Sequence, residues 1–238
     1  MACGVLVCPV ASGRVIDYVA SCTILSGLVG SRAYGLAGPD SDHDRRGVFA
    51  APAAAFWPLE KPPTHLDGPA PEQFSWEVER FCTLALAGNP TVLELLWSPL
   101  LDTITGDGEQ LVSARQAFLS ARVSDSYGRY AHDQLRRVDA RRAATGETNH
   151  KQAMHMIRLL LAGVHVLATG EVLVDVSAHR DRLLAVKHGT VPWTEVTAWA
   201  EKLLSLLDEA AAATRLPAGP DRAGVEALLV DVRRRSLT

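Results

Sequence analysis

Along the chain, apolar residues recur with two different periods. Before Asp102 they come in short runs: Arg14 to Ala20 reads as a short helix, and Ile24 to Val29 as a buried strand that ends at Gly30-Ser31. A turn-rich link through Tyr34 to Pro39 follows. Residues then alternate from Asp42 to Phe49, which predicts a second strand with Asp42, Asp44, Arg46 and Val48 on one face and His43, Arg45, Gly47 and Phe49 on the other. Lys61 to Pro71, with four prolines and one glycine, reads as a loop. Glu72 to Glu77 alternates as a third strand, Val78 to Ala87 shifts to helical spacing, and Gly88-Asn89-Pro90 stops it before another helix over Thr91 to Trp97. Beyond Asp102 the spacing is helical almost throughout, over Glu109–Ser120, Val123–Arg142, Asn149–Ala168, Ala178–Lys187, Thr194–Ala213 and Asp221–Arg235. The expectation is an α+β protein, with strands in residues 1–102 and an all-helical half in residues 103–238.

Composition narrows the class. A hydrophobic content of 47% in 238 residues suffices for a buried core. A formal net charge of −3 argues against a protein that coats nucleic acid through bulk positive charge, and leaves room for a local basic patch. Cys3, Cys8, Cys22 and Cys82 have neither zinc or redox spacing nor the density of a disulfide scaffold, so they read as reduced thiols. The N-terminal residues carry no basic leader and no apolar run reaches the ~18 residues of a membrane span. A cytoplasmic protein with no membrane partner is expected.

The chemistry concentrates between Gly30 and Phe49. Asp42 and Asp44, two apart on one strand face, form a carboxylate pair suited to a hard cation such as Mg²⁺, which prefers oxygen ligands and keeps sites for water and phosphate. Two such ions clamp the attacking and leaving oxygens of an in-line phosphoryl displacement. Gly30-Ser31 lets backbone amides approach a phosphate. Asp-x-Asp and Gly-Ser are each common in solvated turns; strand, Gly-Ser, then Asp-x-Asp opening a strand is the specific combination. Asp40 reads as a turn residue that bonds its own backbone.

The run Gly30-Ser31-Arg32-Ala33-Tyr34-Gly35-Leu36-Ala37-Gly38-Pro39-Asp40-Ser41-Asp42-His43-Asp44-Arg45-Arg46-Gly47-Val48-Phe49 resembles the signature of bacterial and phage nucleotidyltransferases of the DNA polymerase β-like superfamily. The likeness extends to Trp76 through Phe81, Leu84 through Trp97, and Lys151 through Leu159. It implies a small mixed β-sheet nucleotidyltransferase core in residues 1–102, and a helical domain in residues 103–238 that completes the nucleotide cleft and acceptor site. The implied reaction is Mg²⁺-dependent transfer of a nucleoside monophosphate from an NTP to an acceptor hydroxyl, with Mn²⁺ as a substitute ion and pyrophosphate released. The acceptor is an RNA end, a small molecule or a protein. On this resemblance Asp42 and Asp44 hold the metal, and Gly30 and Ser31, with Arg32 and Tyr34 beside them, contact the triphosphate. A third carboxylate is expected on a neighbouring strand, for which Glu77 and Glu72 compete. Alternation puts them on opposite faces, so at most one serves, and Glu77, in the apolar-acid-apolar frame Trp76-Glu77-Val78, is preferred as catalytic residue and metal ligand. A nucleotide-binding module that has lost chemistry, acting as sensor or partner subunit, is the alternative; Glu72 where aspartate is usual is the departure that would favour it.

On an ideal helix Lys151, His155 and Arg158 share one face, opposite Ala153, Met156, Leu160, Val164 and Leu167. Periodicity alone reads this as a solvated cationic face. The resemblance instead implies that these three reach the NTP phosphates, where cations stabilise the leaving pyrophosphate. Arg129, Arg136, Arg137, Arg141 and Arg142 make the preceding helix basic, with Asp133 and Asp139 interrupting them, so helical acid–base pairs account for most of that charge.

Overall fold

The computed structural model describes residues 12–237, with side chains from Asp17 onward. Cys3, Cys8 and the N-terminal residues that bear on export lie outside that range. Helix α1 (Ser12–Cys22) leads into β1 (Thr23–Leu28), the one-turn helix α2 (Gly30–Ala33) and β2 (Arg45–Phe49). Then come β3 (His65–Asp67), β4 (Gln73–Glu77), α3 (Val78–Leu86), α4 (Pro90–Leu96) and β5 (Leu101–Ile104). The remaining helices are α5 (Gly106–Ser113), α6 (Val123–Thr145), α7 (His150–Thr169), α8 (Arg180–Lys187), α9 (Trp193–Ala213) and α10 (Arg222–Arg235).

Among the described residues the strands form one five-stranded sheet in the order β3-β4-β2-β1-β5. It is mixed: β1 runs antiparallel to β2 and β5, β3 antiparallel to β4, and β2 parallel to β4. The α+β class is therefore observed. Two strands escaped the periodicity. β3 lies inside the proline-rich stretch read as a loop, and β5 is a short, mostly exposed edge strand with no apolar alternation. The boundary expected between residues 102 and 103 falls inside β5, and the sheet ends at Ile104. The helix expected over Glu109–Ser120 is split into α5 and a 3₁₀ turn over Arg115–Phe118.

Alternation along the strands sorts the two faces. Leu25 pairs with Val48 and Val48 with Trp76, and all three join the main core, which runs on through α3, α4, α6, α7 and α9 to Val232 in α10. One hydrophobic cluster thus serves sheet and helices alike. Phe49, on the other face, packs with Val19 and Ala51. Helix starts are capped as their sequences predict: Asn89 Oδ1 accepts from Thr91 N at 3.0 Å with Pro90 at the first helical position, and Asn149 Oδ1 accepts from Gln152 N at 3.1 Å. Helix α7 has the length and mean hydropathy (1.2) of a membrane span, although His, Lys, Gln and Arg interrupt its apolar residues. Its apolar side chains serve the interior instead, against α6, α8 and α9.

Candidate active site

The Gly-Ser turn follows β1 and is built around one left-handed residue. Gly30 has φ +68°, and a Cβ there would stand 2.5 Å from Asp44 Oδ2. Only glycine lets the Asp44 carboxylate lie against this turn. Val29 N donates to Asp44 O at 2.9 Å, which fastens Asp44 to the end of β1, and Tyr34 N donates to Gly30 O at 3.0 Å to close α2. Asp44 sits one residue before β2 and Asp42 three before it, so the predicted strand starts later than alternation implied. Arg32 ties the loop from the other side, donating from Nη2 to Ser41 O at 2.8 Å and from Nε to Asp42 O at 3.2 Å. Among the described residues neither the Asp42 nor the Asp44 carboxylate makes a hydrogen bond or ion pair.

The sheet register separates the two candidates for the third acid. β2 and β4 pair in parallel from Arg45↔Gln73 to Phe49↔Glu77, so Glu72 lies level with Asp44 and Glu77 at the opposite end of the strand, on the opposite face. Glu72 also reaches the aspartate loop directly: its Oε2 accepts from His43 N at 3.0 Å, and its carbonyl from Arg45 N at 3.1 Å. It holds φ +56°, an unusual conformation for a side chain of this kind. Glu77 is engaged elsewhere. It accepts from Glu79 N at 2.8 Å as the cap of α3, from Ala51 N at 3.3 Å, and pairs with Arg233 at 2.8 Å. Of the two candidates, Glu72 therefore stands beside the aspartate loop, and Glu77, preferred on its sequence frame, stands away from it. The decisive fact is strand register, which residue spacing does not contain.

The helical wall divides the three expected cations. Arg158 is 1% exposed and donates from Nη1 to Glu94 Oε1 at 2.6 Å, with its guanidinium 3.7 Å from the centre of the Tyr34 ring. It is neither on a solvated face nor free to reach a phosphate; the burial of its partner Glu94 in α4 makes the difference. The other Glu94 oxygen, Oε2, accepts from Tyr34 Oη at 2.7 Å. Burial opposes the Arg158 charge, but Glu94 and the two tyrosines Tyr34 and Tyr127 more than offset it and hold its pKa above the usual value. Tyr34 itself is pushed up, first by burial and then by Glu94. His155 is half-buried, and burial, then the charges of Arg158 and Lys151, push it down to about 3. Neutral at physiological pH, it accepts from Arg158 Nη2 at 3.4 Å through Nδ1, which leaves Nε2 to carry the proton. Lys151, one turn earlier, is exposed.

Glu94 is the residue the spacing analysis passed over. Its signal is an acid inside the apolar run Val92-Leu93-Glu94-Leu95-Leu96, every member of which is buried. The helical half also grips the loop after α2: Val176 N donates to Tyr34 O at 3.1 Å, and Arg180 Nη2 to Ala37 O at 2.9 Å. Arg136 of α6 pairs with Asp133 as the acid–base reading expected, whereas Arg129 donates to the backbone carbonyl of Asp125.

Among the described residues no three His, Cys, Asp or Glu side chains converge as a metal-holding group. Mg²⁺ needs no such cage, since one or two carboxylates, water and substrate phosphates complete its shell. The unpaired Asp42 and Asp44 carboxylates beside a Cβ-free turn fit that ion.

The chain with this mixed sheet, two aspartates at the mouth of one strand and a Gly-Ser turn against them is a polymerase β-like nucleotidyltransferase by family. More narrowly, the chain belongs to the RNA repair pathway DNA polymerase beta family, whose model matches residues 18–231. No curated protein matches the sequence.

Proposed function

We propose that this protein is a Mg²⁺-dependent nucleotidyltransferase that moves a nucleoside monophosphate from an NTP to the terminal hydroxyl of an RNA. The observation that carries the reading is the pair of unpartnered carboxylates, Asp42 and Asp44, lying beside a turn in which only Gly30 fits. The family's link to RNA repair supports an RNA end as acceptor.

Asp42 and Asp44 would hold Mg²⁺, or Mn²⁺ in its place; the ion when bound supplies charge neutralisation at the triphosphate and the attacking oxygen. In the transfer the acceptor oxygen forms a bond to the α-phosphorus as the bond from that phosphorus to the β-phosphate oxygen breaks, and pyrophosphate leaves. Glu72, level with Asp44, takes the proton from the acceptor hydroxyl. Gly30 and Ser31 bring backbone and hydroxyl to the phosphates. Lys151 offers a mobile cation, and His155 a neutral Nε2–H donor whose orientation is fixed by Arg158.

The test is incubation with Mg²⁺, each α-labelled NTP in turn, and RNA with a free 3′ hydroxyl. Label should enter the RNA while pyrophosphate accumulates, and Asp42→Ala/Asp44→Ala should abolish both. Equal behaviour of wild type and the double variant would overturn the reading. Label in a small molecule or protein would keep the transferase and change the acceptor. Tight NTP–Mg²⁺ binding without transfer to any acceptor would identify a nucleotide-binding module instead.

A further inference from the structure

We propose that Glu94 and Arg158 are positioning residues, a buried strut that sets where the nucleotide turn stands relative to helix α7. The proposal rests on the nucleotidyl-transfer reading above. Glu94 uses both oxygens, one on Arg158 Nη1 at 2.6 Å and one on Tyr34 Oη at 2.7 Å, and the side chains of Glu94 and Arg158 are 4% and 1% exposed. Arg158 also lies over the Tyr34 ring at 3.7 Å. Tyr34 is therefore held both at its hydroxyl and on its face. Through its own backbone it closes the turn to Gly30 O at 3.0 Å, and Gly30 in turn abuts the Asp44 carboxylate. A continuous chain of contacts runs from α7 and α4 to the metal-binding aspartate.

Stability is a poor reason to keep such a strut. A buried ion pair is often no better than well-packed apolar residues of similar volume, and is best retained where it fixes one geometry. This one also leaves Arg158 Nε and the nearby Tyr127 Oη buried without partners, a disadvantage that an apolar core would avoid. What the pair supplies is directional: two short charge-assisted bonds to one carboxylate allow little sliding of Tyr34 against α7. The same guanidinium fixes the His155 ring through Nδ1.

The experiment uses the full chain with Glu94→Leu/Arg158→Met, which removes both charges together and keeps apolar volume, and separately Tyr34→Phe, which deletes only the link to Glu94. Thermal melts establish folding, and Tyr34→Phe carries the test if the double variant does not fold. Displacement of reacting groups by about 1 Å costs on the order of 10²-fold in rate, so kcat for label transfer should fall about 10²-fold in the double variant. A smaller fall is expected in Tyr34→Phe. The KM for NTP should move by less than about threefold. Hydrogen exchange gives a readout independent of activity: the amides of Tyr34 and Leu36, bonded to Gly30 O and Ser31 O, should exchange faster while those of α7 do not. A folded variant with wild-type kcat, or unchanged exchange at these two amides, overturns the proposal. Should the wild-type protein transfer no label, the transferase reading fails by itself, and exchange alone decides the strut: faster exchange supports it and unchanged exchange overturns it.

Discussion

Gly30→Ala puts the geometry of the aspartate turn under direct strain. Two effects add. At φ +68° a residue with a Cβ costs about 1–2 kcal/mol relative to glycine, and in a chain of this size that corresponds to a Tm lower by roughly 2–8 °C. The new methyl would also stand 2.5 Å from Asp44 Oδ2 and 3.2 Å from its Cβ. That oxygen is the free end of an unpaired side chain, so it swings away with little further loss of stability, but the carboxylate leaves the position it holds in the fold. A shift on the order of 1 Å in a reacting group lowers the rate about 10²-fold. The expected signature is a modest Tm loss with a collapse of kcat, read by thermal melts and by steady-state transfer of α-labelled NTP. Gly38→Ala is the control: no atom lies within 4 Å of the position its Cβ would take, so both readouts should match wild type. A Gly30→Ala protein that is less stable yet turns over at the wild-type rate would refute the reasoning, because it would mean that the Asp44 position does not limit the reaction.

Three other outcomes follow from the site. His155 is pushed down to about 3 from its ordinary 6.5. The unfolded chain therefore binds the extra proton between those values, and stability should fall as pH drops from about 6.5 toward 3, with no contribution above; melts between pH 8 and 5 should show a shallower decline in His155→Gln. Glu77→Gln removes the nearer of the two acid partners of Arg233, with Glu79 remaining at 3.7 Å, a loss of about 2 kcal/mol for a hydrogen bond to a charged group, or roughly 4–8 °C in Tm. Lys151→Ala should raise the KM for NTP several-fold with the fold intact, since Lys151 is exposed and makes no side-chain hydrogen bond or ion pair among the described residues; an unchanged KM would remove it from the phosphate site.

What could be read from the linear chain was what is local in it. Gly30, Ser31, Asp42 and Asp44 lie within fifteen residues, so their proximity follows from one strand, one turn and a short return. The helices from α6 onward were equally legible because each carries its own period and Gly or Pro separates it from the next; α5, which gives way at Ala114 to a 3₁₀ turn with no such stop, was not. Long-range pairing was not. Glu72 and Glu77 differ only by register: the parallel alignment of β4 on β2 brings the first to Asp44 and sends the second to Arg233. The helical wheel grouped Arg158 with Lys151 and His155, yet Glu94, 64 residues earlier, draws it into the interior. β5 shows no apolar alternation because its burial is slight, and its place is set by backbone bonds to β1.

The comparison of Glu72→Gln with Glu77→Gln in one transfer assay, run below the lower of their melting temperatures, tests the central claim most directly. With Asp42, Asp44 and Glu72 forming the reactive edge, Glu72→Gln should lose at least about 10²-fold in kcat, the contribution typical of a positioned proton acceptor. Glu77→Gln, though less stable, should turn over within about threefold of wild type. The reverse result, with Glu77→Gln inactive and Glu72→Gln near wild type, would contradict the account.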